Sequence, residues 1–206
     1  MRLNWVGRAS MNSPFRRLAQ DYIASLFERI GGRVEGGRVL EVGCGGGYGI
    51  ELILKRFKAA QVEGIDLDFR MIETARRRLS RYIDSQVRLS VGNVTFLEAK
   101  NESFDAVFDV GAIHIEPNWR QALAEVGRVL KPGGRFFFEL VTSRALRLPY
   151  PLVTERFQGM DPPDAKQFMA ELEQHGIVVG QHFVRPYLAA LTGWVGDLIG
   201  VGWKRN

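Results

Sequence analysis

Hydrophobic positions along the chain follow two different periods, which predict strands and helices in alternation. Short apolar or alternating runs fit buried β-strands, and the longer stretches between them repeat apolar residues at helical spacing. In the first helix this repeat comprises Leu18, Tyr22, Leu26 and Ile30, which are therefore expected on its inward face. The alternation is typical of an α/β fold with a parallel sheet. The predicted strands span residues 38–42, 61–65, 86–91, 104–108, 135–140, 177–184 and 198–203, and the predicted helices span 14–30, 50–58, 69–82, 118–130 and 164–175.

A glycine-rich turn links the first strand to the helix that follows it. Gly43, Gly45, Gly46 and Gly47 lie close together there, immediately before the predicted helix. Glycine lets the backbone approach a ligand closely, and a helix N-terminus offers free N–H groups and a partial positive charge. A strand, a glycine turn and a helix in this order therefore predict a nucleotide-binding geometry.

The spacing of the glycines argues against a dinucleotide. The G-x-G-x-x-G fingerprint would need a further glycine where the chain has Tyr48 or Ile50. A nicotinamide-dependent oxidoreductase is therefore disfavoured. The spacing that fits is three glycines at alternate positions, with an acidic residue two positions before the first of them.

Residues 41–47 resemble the first motif of the class I S-adenosylmethionine-dependent methyltransferases, E/D-x-G-x-G-x-G. Three later segments, residues 64–68, 103–107 and 130–134, resemble further motifs of the same family. The resemblance covers about residues 39–140 and is strongest to the bacterial type 11 small-molecule methyltransferases.

This resemblance implies a fold, a cofactor and an activity. The fold is a Rossmann-like, doubly wound α/β sheet of seven strands in the order 3-2-1-4-5-7-6, with the last strand antiparallel. The cofactor is S-adenosylmethionine, its product is S-adenosylhomocysteine, and the methyl group goes to a small-molecule acceptor. We expect residues 1–206 to form one domain, with an N-terminal cap helix at about 14–30 and a lid insertion at about 142–163.

The family motifs imply cofactor contacts at the carboxyl ends of the predicted strands. Asp66 ends the second strand, where a carboxylate can accept hydrogen bonds from both ribose hydroxyls, whereas Asp68 is placed to cap the next helix. Asn93 stands where the family often has an aspartate that accepts from the adenine amino group, and its amide oxygen can still accept. The expected cofactor-binding residues are Glu41, Gly43, Cys44, Gly45, Gly47, Asp66, Leu67, Asn93, Val94, Asp109 and Val110.

Two of these residues leave alternatives open. Asp109 ends the fourth strand and faces the methionine ammonium through either its side chain or its backbone carbonyl, which the sequence does not separate. Cys44 can be interpreted as a nucleophile or as a small residue tolerated in a tight loop, and we favour the second because no histidine adjoins it.

His114 is the candidate catalytic residue, because the family often has histidines after the fourth strand. A histidine there can take a proton from the acceptor near neutral pH, or it can orient the loop or pack beside the cofactor. The first helix often covers the cofactor in this family, which makes Arg16 or Arg17 a further candidate contact. The candidate substrate contacts on that helix and the lid are Tyr22, Tyr150, Arg156 and Phe157.

Composition and charge exclude other classes. The chain is 46% hydrophobic and 25% charged, and no apolar run approaches the roughly 20 residues that span a bilayer. The net charge of +5 comes from scattered basic residues, so nucleic-acid binding is disfavoured. The single cysteine excludes an internal disulfide and fits a reducing cytoplasm. The isolated histidines, His114, His175 and His182, predict no metal site.

Two alternative functions stay open. An RNA- or protein-directed methyltransferase would need a broad charged docking surface or an added recognition domain. A non-catalytic accessory protein would bind S-adenosylmethionine beside a filled substrate cleft. We expect the protein to be a monomer or a homodimer.

Overall fold

The computed structural model describes residues 12–142, 163–184 and 198–206. The predicted lid at 142–163 lies almost wholly outside these ranges, as do the candidate substrate contacts Tyr150, Arg156 and Phe157. The strands are β1 (Arg38–Val42), β2 (Gln61–Asp66), β3 (Val87–Val91), β4 (Phe104–Val110), β5 (Leu130–Leu140), β6 (Ile177–Val184) and β7 (Leu198–Lys204). The helices are α1 (Pro14–Gly31), α2 (Tyr48–Lys55), α3 (Phe69–Arg78), α4 (Trp119–Val129) and α5 (Ala165–Gln174), with a short 3₁₀ helix at Ile113–Ile115.

The strands form one seven-stranded sheet in the order β3-β2-β1-β4-β5-β7-β6. Strands β1 to β5 pair in parallel, and β7 runs antiparallel to both of its neighbours, β5 and β6. The predicted strand order and the predicted antiparallel strand are both confirmed. Because the first five strands are parallel, their carboxyl ends meet at one edge of the sheet, where ligands bind in open α/β folds.

Alternate residues of the central strands face opposite sides of the sheet, and each side has its own apolar core. Val39, Phe108 and Phe137 face the side covered by α1, α2 and α3, where Phe108 and Phe137 stack with ring centroids 4.3 Å apart. Leu40 and Val107 face the other side, which α4 and α5 cover. Both cores hold the strands rigidly, so the loops at their carboxyl ends start from fixed points.

The inward face predicted for α1 is wrong for two of its four residues. Leu18 is 67% exposed and Tyr22 is 43% exposed, whereas Ile23 and Phe27 are fully buried against the sheet. Both sets of residues repeat at helical spacing, so the period alone could not choose between two overlapping apolar faces. The aromatic side chains that Phe27 meets on β4 and β5 decide which face packs inward.

Side-chain caps begin three of the helices, and the cap at Asp68 was predicted from the sequence. The hydroxyl of Ser13 accepts from the Arg16 N–H at the start of α1, and the carboxylate of Asp68 accepts from the Arg70 N–H at the start of α3. Asp164 forms a capping box with Gln167 at the start of α5. No helix within the described ranges is both long enough and apolar enough to cross a membrane.

Candidate functional site

A cavity opens at the carboxyl ends of β1, β2, β3 and β4. The glycine loop after β1 forms one wall, the end of β2 forms the floor, and the loops after β3 and β4 close the other sides. Seven of the expected cofactor-binding residues line it: Gly43, Gly45, Asp66, Leu67, Asn93, Val94 and Val110. The fold therefore brings these seven predicted residues together around one cavity. Their contact with a cofactor stays a prediction.

Asp66 joins the glycine loop to the start of α3. One carboxylate oxygen accepts from the Gly45 N–H at 2.9 Å, and the other accepts from the Asp68 N–H at 2.8 Å. Burial raises the pKa of Asp66, and the two N–H bonds oppose that rise. Each oxygen keeps a second lone pair, and Asp66 lines the cavity, so the carboxylate can hold the loop and still accept from a ligand.

Asn93 shapes the opposite wall. Its amide oxygen accepts from the Thr95 N–H at 3.0 Å, which closes a turn after β3. This bond uses one lone pair of the oxygen that was expected to accept from adenine. Val94 follows it with an apolar side chain on the same wall.

Glu41 does not line this cavity. It is 2% exposed and faces the apolar space between α1, α2 and β4, and a Cβ on Gly49 would overlap its carboxylate. Burial raises the pKa of Glu41 well above its ordinary value, and the charges of Asp66 and Asp109 add to this rise. The structure therefore places Glu41 behind the glycine loop and outside the main cavity.

Asp109 is fully buried and also turns away from the cavity. Its carboxylate accepts from the Ala112 N–H at 2.7 Å and from the Ile113 N–H at 3.2 Å, which folds the loop after β4 back on the strand. Burial raises the pKa of Asp109 to about 7, against the lowering effect of these N–H bonds. The two alternatives for Asp109 were a cofactor contact through its side chain or through its backbone carbonyl. The side chain is hydrogen-bonded to the loop after β4.

The contribution of Asp109 to the free energy of unfolding should fall as pH rises from about 4 to 7. The unfolded carboxyl loses its proton near pH 4, whereas the folded one keeps its proton until about 7. Unfolding therefore releases a proton in this window. Asp109→Asn lacks this titrating group. In urea unfolding, the free energy of unfolding of the variant minus that of wild type should therefore rise by a few kcal/mol between pH 5 and pH 8.

Asp105 offers a matched control on the same strand. Although burial opposes it, hydrogen bonds from Lys131 and from the Arg38 N–H hold the pKa of Asp105 below its usual value. Asp105→Asn should therefore lose stability by the same amount at pH 6 and pH 8. A pH-independent difference between wild type and Asp109→Asn would contradict the placement of Asp109.

His114 lies in a buried polar cluster behind the cavity rim. It is 5% exposed, and the side chains of Glu139, Arg16 and His114 all approach the same side of Gly111. Arg16 donates to the Val110 carbonyl at 3.0 Å and lies 3.9 Å from the Glu139 carboxylate. Within the described ranges His114 is not among the cavity-lining residues, so its role as a general base stays a prediction.

Three other predicted site residues lie off the main cavity. Cys44 is buried beneath the glycine loop, and burial raises the pKa of its thiol well above the usual value, which makes a nucleophilic role unfavourable. A Cβ on Gly47 would meet Leu79 at 2.8 Å, so this glycine lets the loop pack on the residues after α3. Tyr22 lines neither of the cavities beside the glycine loop in the described structure.

A second cavity adjoins the glycine loop on its other side. Gly43, Cys44, Gly45 and Gly46 form part of its wall, and α1 contributes Arg17. The two arginines left open on α1 therefore differ in role. Arg16 is buried in the polar cluster, whereas Arg17 reaches a cavity.

Sequence reasoning missed several residues of the main cavity. Those after β4 carry no motif, but they follow a strand whose carboxyl end was already expected at the site, and that position was the available signal. In the described part of the chain, no group of three or more His, Cys, Asp or Glu side chains is arranged to hold a metal ion. The missed lining residues are Ile65, Met71, Gly92, Gly111, Ala112, Ile115 and Glu116.

Comparison with known proteins agrees with this geometry. Residues 39–134 match the family model described as a methyltransferase domain. Over these residues the chain is therefore similar to a methyltransferase domain. The matched range runs from β1 through β4 and includes every residue that lines the main cavity.

Two curated relatives are similar to about half of this chain. Fatty-acid O-methyltransferase of Mycolicibacterium smegmatis is 39% identical over 105 residues, which are 51% of this chain and 37% of that protein. Phthiotriol/phenolphthiotriol dimycocerosates methyltransferase of Mycobacterium tuberculosis is 38% identical over 114 residues, which are 54% of this chain and 41% of that protein. The chain thus spans about two fifths of the length of these relatives.

A solved structure shares the fold over a longer range. The S-adenosylmethionine-dependent methyltransferase from Mesorhizobium loti superimposes with a TM-score of 0.72, covering 90% of this chain and 100% of that one. Its sequence identity is 19%, so this likeness concerns the fold alone. The shared fold therefore extends well beyond residues 39–134.

Proposed function

We propose that the protein transfers the methyl group of S-adenosylmethionine to an apolar small-molecule acceptor. The observation that carries this proposal is the cavity at the carboxyl ends of β1, β2 and β4, bounded by the glycine loop, Asp66 and Asn93. A nucleoside fits this arrangement, with its ribose at Asp66 and its base between Leu67 and Val94.

The acidic residues at the cavity support a cationic cofactor. Asp66 and Glu116 line the main cavity, and its described lining contains no basic residue. S-adenosylmethionine brings a sulfonium and an ammonium group, whose positive charges suit such an acidic surrounding. The donor set therefore fits this cofactor.

The chain's own residues orient the reactants and exclude water. Asp66 fixes the glycine loop through the Gly45 N–H, and Asp109 fixes the loop after β4 through the Ala112 and Ile113 N–H groups. When bound, the sulfonium supplies a methyl group that is already activated for attack by a nucleophile. The protein's main task is then to hold nucleophile, methyl carbon and sulfur in line, which can lower a barrier by several kcal/mol.

The acceptor class follows from the cavity wall and from the relatives. Val94, Val110 and Ile115 give the wall beside the loop after β4 an apolar surface. The printed names of the two curated relatives specify a fatty acid and phthiotriol dimycocerosates as acceptors. Both are long-chain lipids, and we extend that class to this protein as part of the proposal.

Methyl transfer from S-adenosylmethionine labelled in its methyl group tests the proposal. The purified protein should label a free fatty acid or another lipid acceptor, in a bacterial lipid extract or in a defined panel. Labelling of RNA or protein in place of lipid would contradict the acceptor class. Cofactor binding without transfer to any of these acceptors would favour the non-catalytic accessory protein.

His114→Ala should bind S-adenosylhomocysteine with unchanged affinity, because His114 lies behind the cavity rim. We expect its turnover of the acceptor to fall, since the cluster with Glu139 and Arg16 supports the loop after β4. His182→Ala, an exposed change on β6, is the matched control and should leave both measurements as in wild type. A folded His114→Ala protein that no longer binds the cofactor product would move this residue into the cofactor site.

A further inference from the structure

Exposed apolar side chains are concentrated at the carboxyl edge of the sheet, which is the edge where the strands β1 to β6 end and the main cavity opens. Eight large hydrophobic residues are exposed in the described part of the chain. Val178 is at the opposite edge, where β6 begins, and Tyr22 lies two turns into α1. The other six are at the carboxyl edge: Phe15, Leu18, Phe69, Val91, Phe96 and Val184.

Helix α1 brings Phe15 and Leu18 to this edge. Its first turn is held there because Arg16 donates to the Val110 carbonyl, at the end of β4, at 3.0 Å. The face of α1 that contains Ile23 packs on the sheet, and Phe15 remains 71% exposed. Both Phe15 and Leu18 therefore present apolar surface to the surroundings beside the cavity wall that Val110 forms.

The start of α3 and the turn after β3 bring Phe69 and Phe96 to another side of the cavity. Phe69 begins α3, two residues after Leu67, which lines the cavity. Phe96 closes the turn after β3, because its N–H donates to the carbonyl of the cavity-lining Asn93 at 3.0 Å. Phe69 is 55% exposed and Phe96 is 75% exposed. The main cavity thus has exposed apolar side chains beside it on two sides.

These side chains suit the surface of a lipid bilayer. Phenylalanine and leucine at the ends of helices and turns can enter a bilayer without matching the shape of a partner, and they gain by leaving water. An exposed arginine follows or precedes each group, Arg17 next to Leu18 and Arg70 next to Phe69. The guanidinium carbon of Arg70 lies 5.9 Å from the centroid of the Phe69 ring. Together with the net charge of +5, these cations favour a bilayer that contains anionic lipid.

We infer that the carboxyl edge docks on a lipid bilayer, with Phe15, Leu18, Phe69 and Phe96 inserted at its surface. The inference rests on the proposed function, because a long-chain lipid acceptor is what the cavity would take from the bilayer. Docking in this orientation turns the mouth of the main cavity toward the lipid. The apolar chain of the acceptor then passes from the bilayer to the protein without crossing water, where its exposure is unfavourable.

Sedimentation with vesicles of phosphatidylcholine and phosphatidylglycerol in equal parts tests this contact. The wild-type protein should bind these vesicles, and the double variant Phe69→Ser/Phe96→Ser should bind about tenfold or more weakly. Leu18→Ser tests the α1 side separately and should weaken binding by a smaller factor. Val178→Ser is the matched control, because it removes an exposed apolar side chain from the opposite edge, and it should bind as wild type does. None of these substitutions replaces a residue that lines the main cavity.

Methyl transfer separates this inference from the proposed function. Transfer to a long-chain fatty acid held in the vesicles should fall in Phe69→Ser/Phe96→Ser, whereas transfer to a short, water-soluble fatty acid should stay as in wild type. Vesicle binding that is equal in the double variant and wild type would overturn the inference, as would a wild-type protein that does not bind the vesicles. A wild-type protein that methylates neither acid would instead overturn the proposed function, whatever its vesicle binding, so the two failures can be told apart.

Discussion

Gly43→Ala should abolish or greatly weaken cofactor binding and destabilise the protein by about 2–5 kcal/mol. Gly43 has φ +64°, a conformation that costs an L-residue about 1–2 kcal/mol. An added Cβ would also overlap the Cβ of Ala112, which belongs to the loop after β4. A methyl group attached directly to the main chain cannot swing aside, so relief must move one of the two loops that bound the cavity. Thermal unfolding and titration with S-adenosylhomocysteine measure both effects.

Gly36→Ala separates backbone strain from the overlap. Gly36 has φ +71°, and a Cβ there would have no heavy atom within 4 Å. This variant should show the strain alone, at about 1–2 kcal/mol, with unchanged cofactor affinity. If Gly43→Ala were as stable as Gly36→Ala and bound the ligand equally well, the close approach of the two loops would not define the site.

Asp66→Ala should weaken binding of S-adenosylhomocysteine by about tenfold to a hundredfold. Two contributions act together in this residue. The carboxylate holds the Gly45 N–H and the Asp68 N–H, so its loss frees the glycine loop from the start of α3. The proposed bonds to the ribose hydroxyls, each to a charged acceptor, disappear as well. Calorimetric titration measures the change in affinity.

Asp66→Asn keeps one acceptor oxygen and should bind with intermediate affinity. Glu63→Ala is the matched control, because Glu63 lies on the same strand and pairs with Arg38 outside the cavity. It should leave the affinity unchanged. An Asp66→Ala protein that binds as tightly as wild type would contradict both the ribose contact and the role of the carboxylate in holding the loop.

Periodicity and turn chemistry predicted where each element lies better than where it begins and ends. β1 and β6 begin and end where the sequence indicated, whereas β5 begins at Leu130, five residues before the predicted start, and α3 ends at Arg78, four residues before the predicted end at Tyr82. The β5 prediction was wrong because the Pro132-Gly133-Gly134 turn signal lies inside the region that the sheet extends. The last turn of a helix depends on its tertiary partners, which a single sequence does not reveal.

The same limit applies to side-chain direction at the site. Glu41 and Asp109 stand in the motif positions that the family implies, yet both carboxylates point into the protein. A motif fixes where the backbone lies, and burial together with nearby N–H groups fixes where a side chain turns. Arg16 and Arg17 illustrate this, because they are neighbours on one helix and their side chains point in different directions. Arg16 is buried beside Glu139, whereas Arg17 lines a cavity.

Calorimetric titration of the wild-type protein with S-adenosylmethionine, S-adenosylhomocysteine and NADH tests the central claim most directly. The glycine spacing, the carboxylate of Asp66 and the acidic surroundings of the cavity predict binding of the first two ligands and no binding of NADH. Binding of NADH by a folded sample that binds neither sulfur nucleoside would contradict the claim that this cavity holds S-adenosylmethionine.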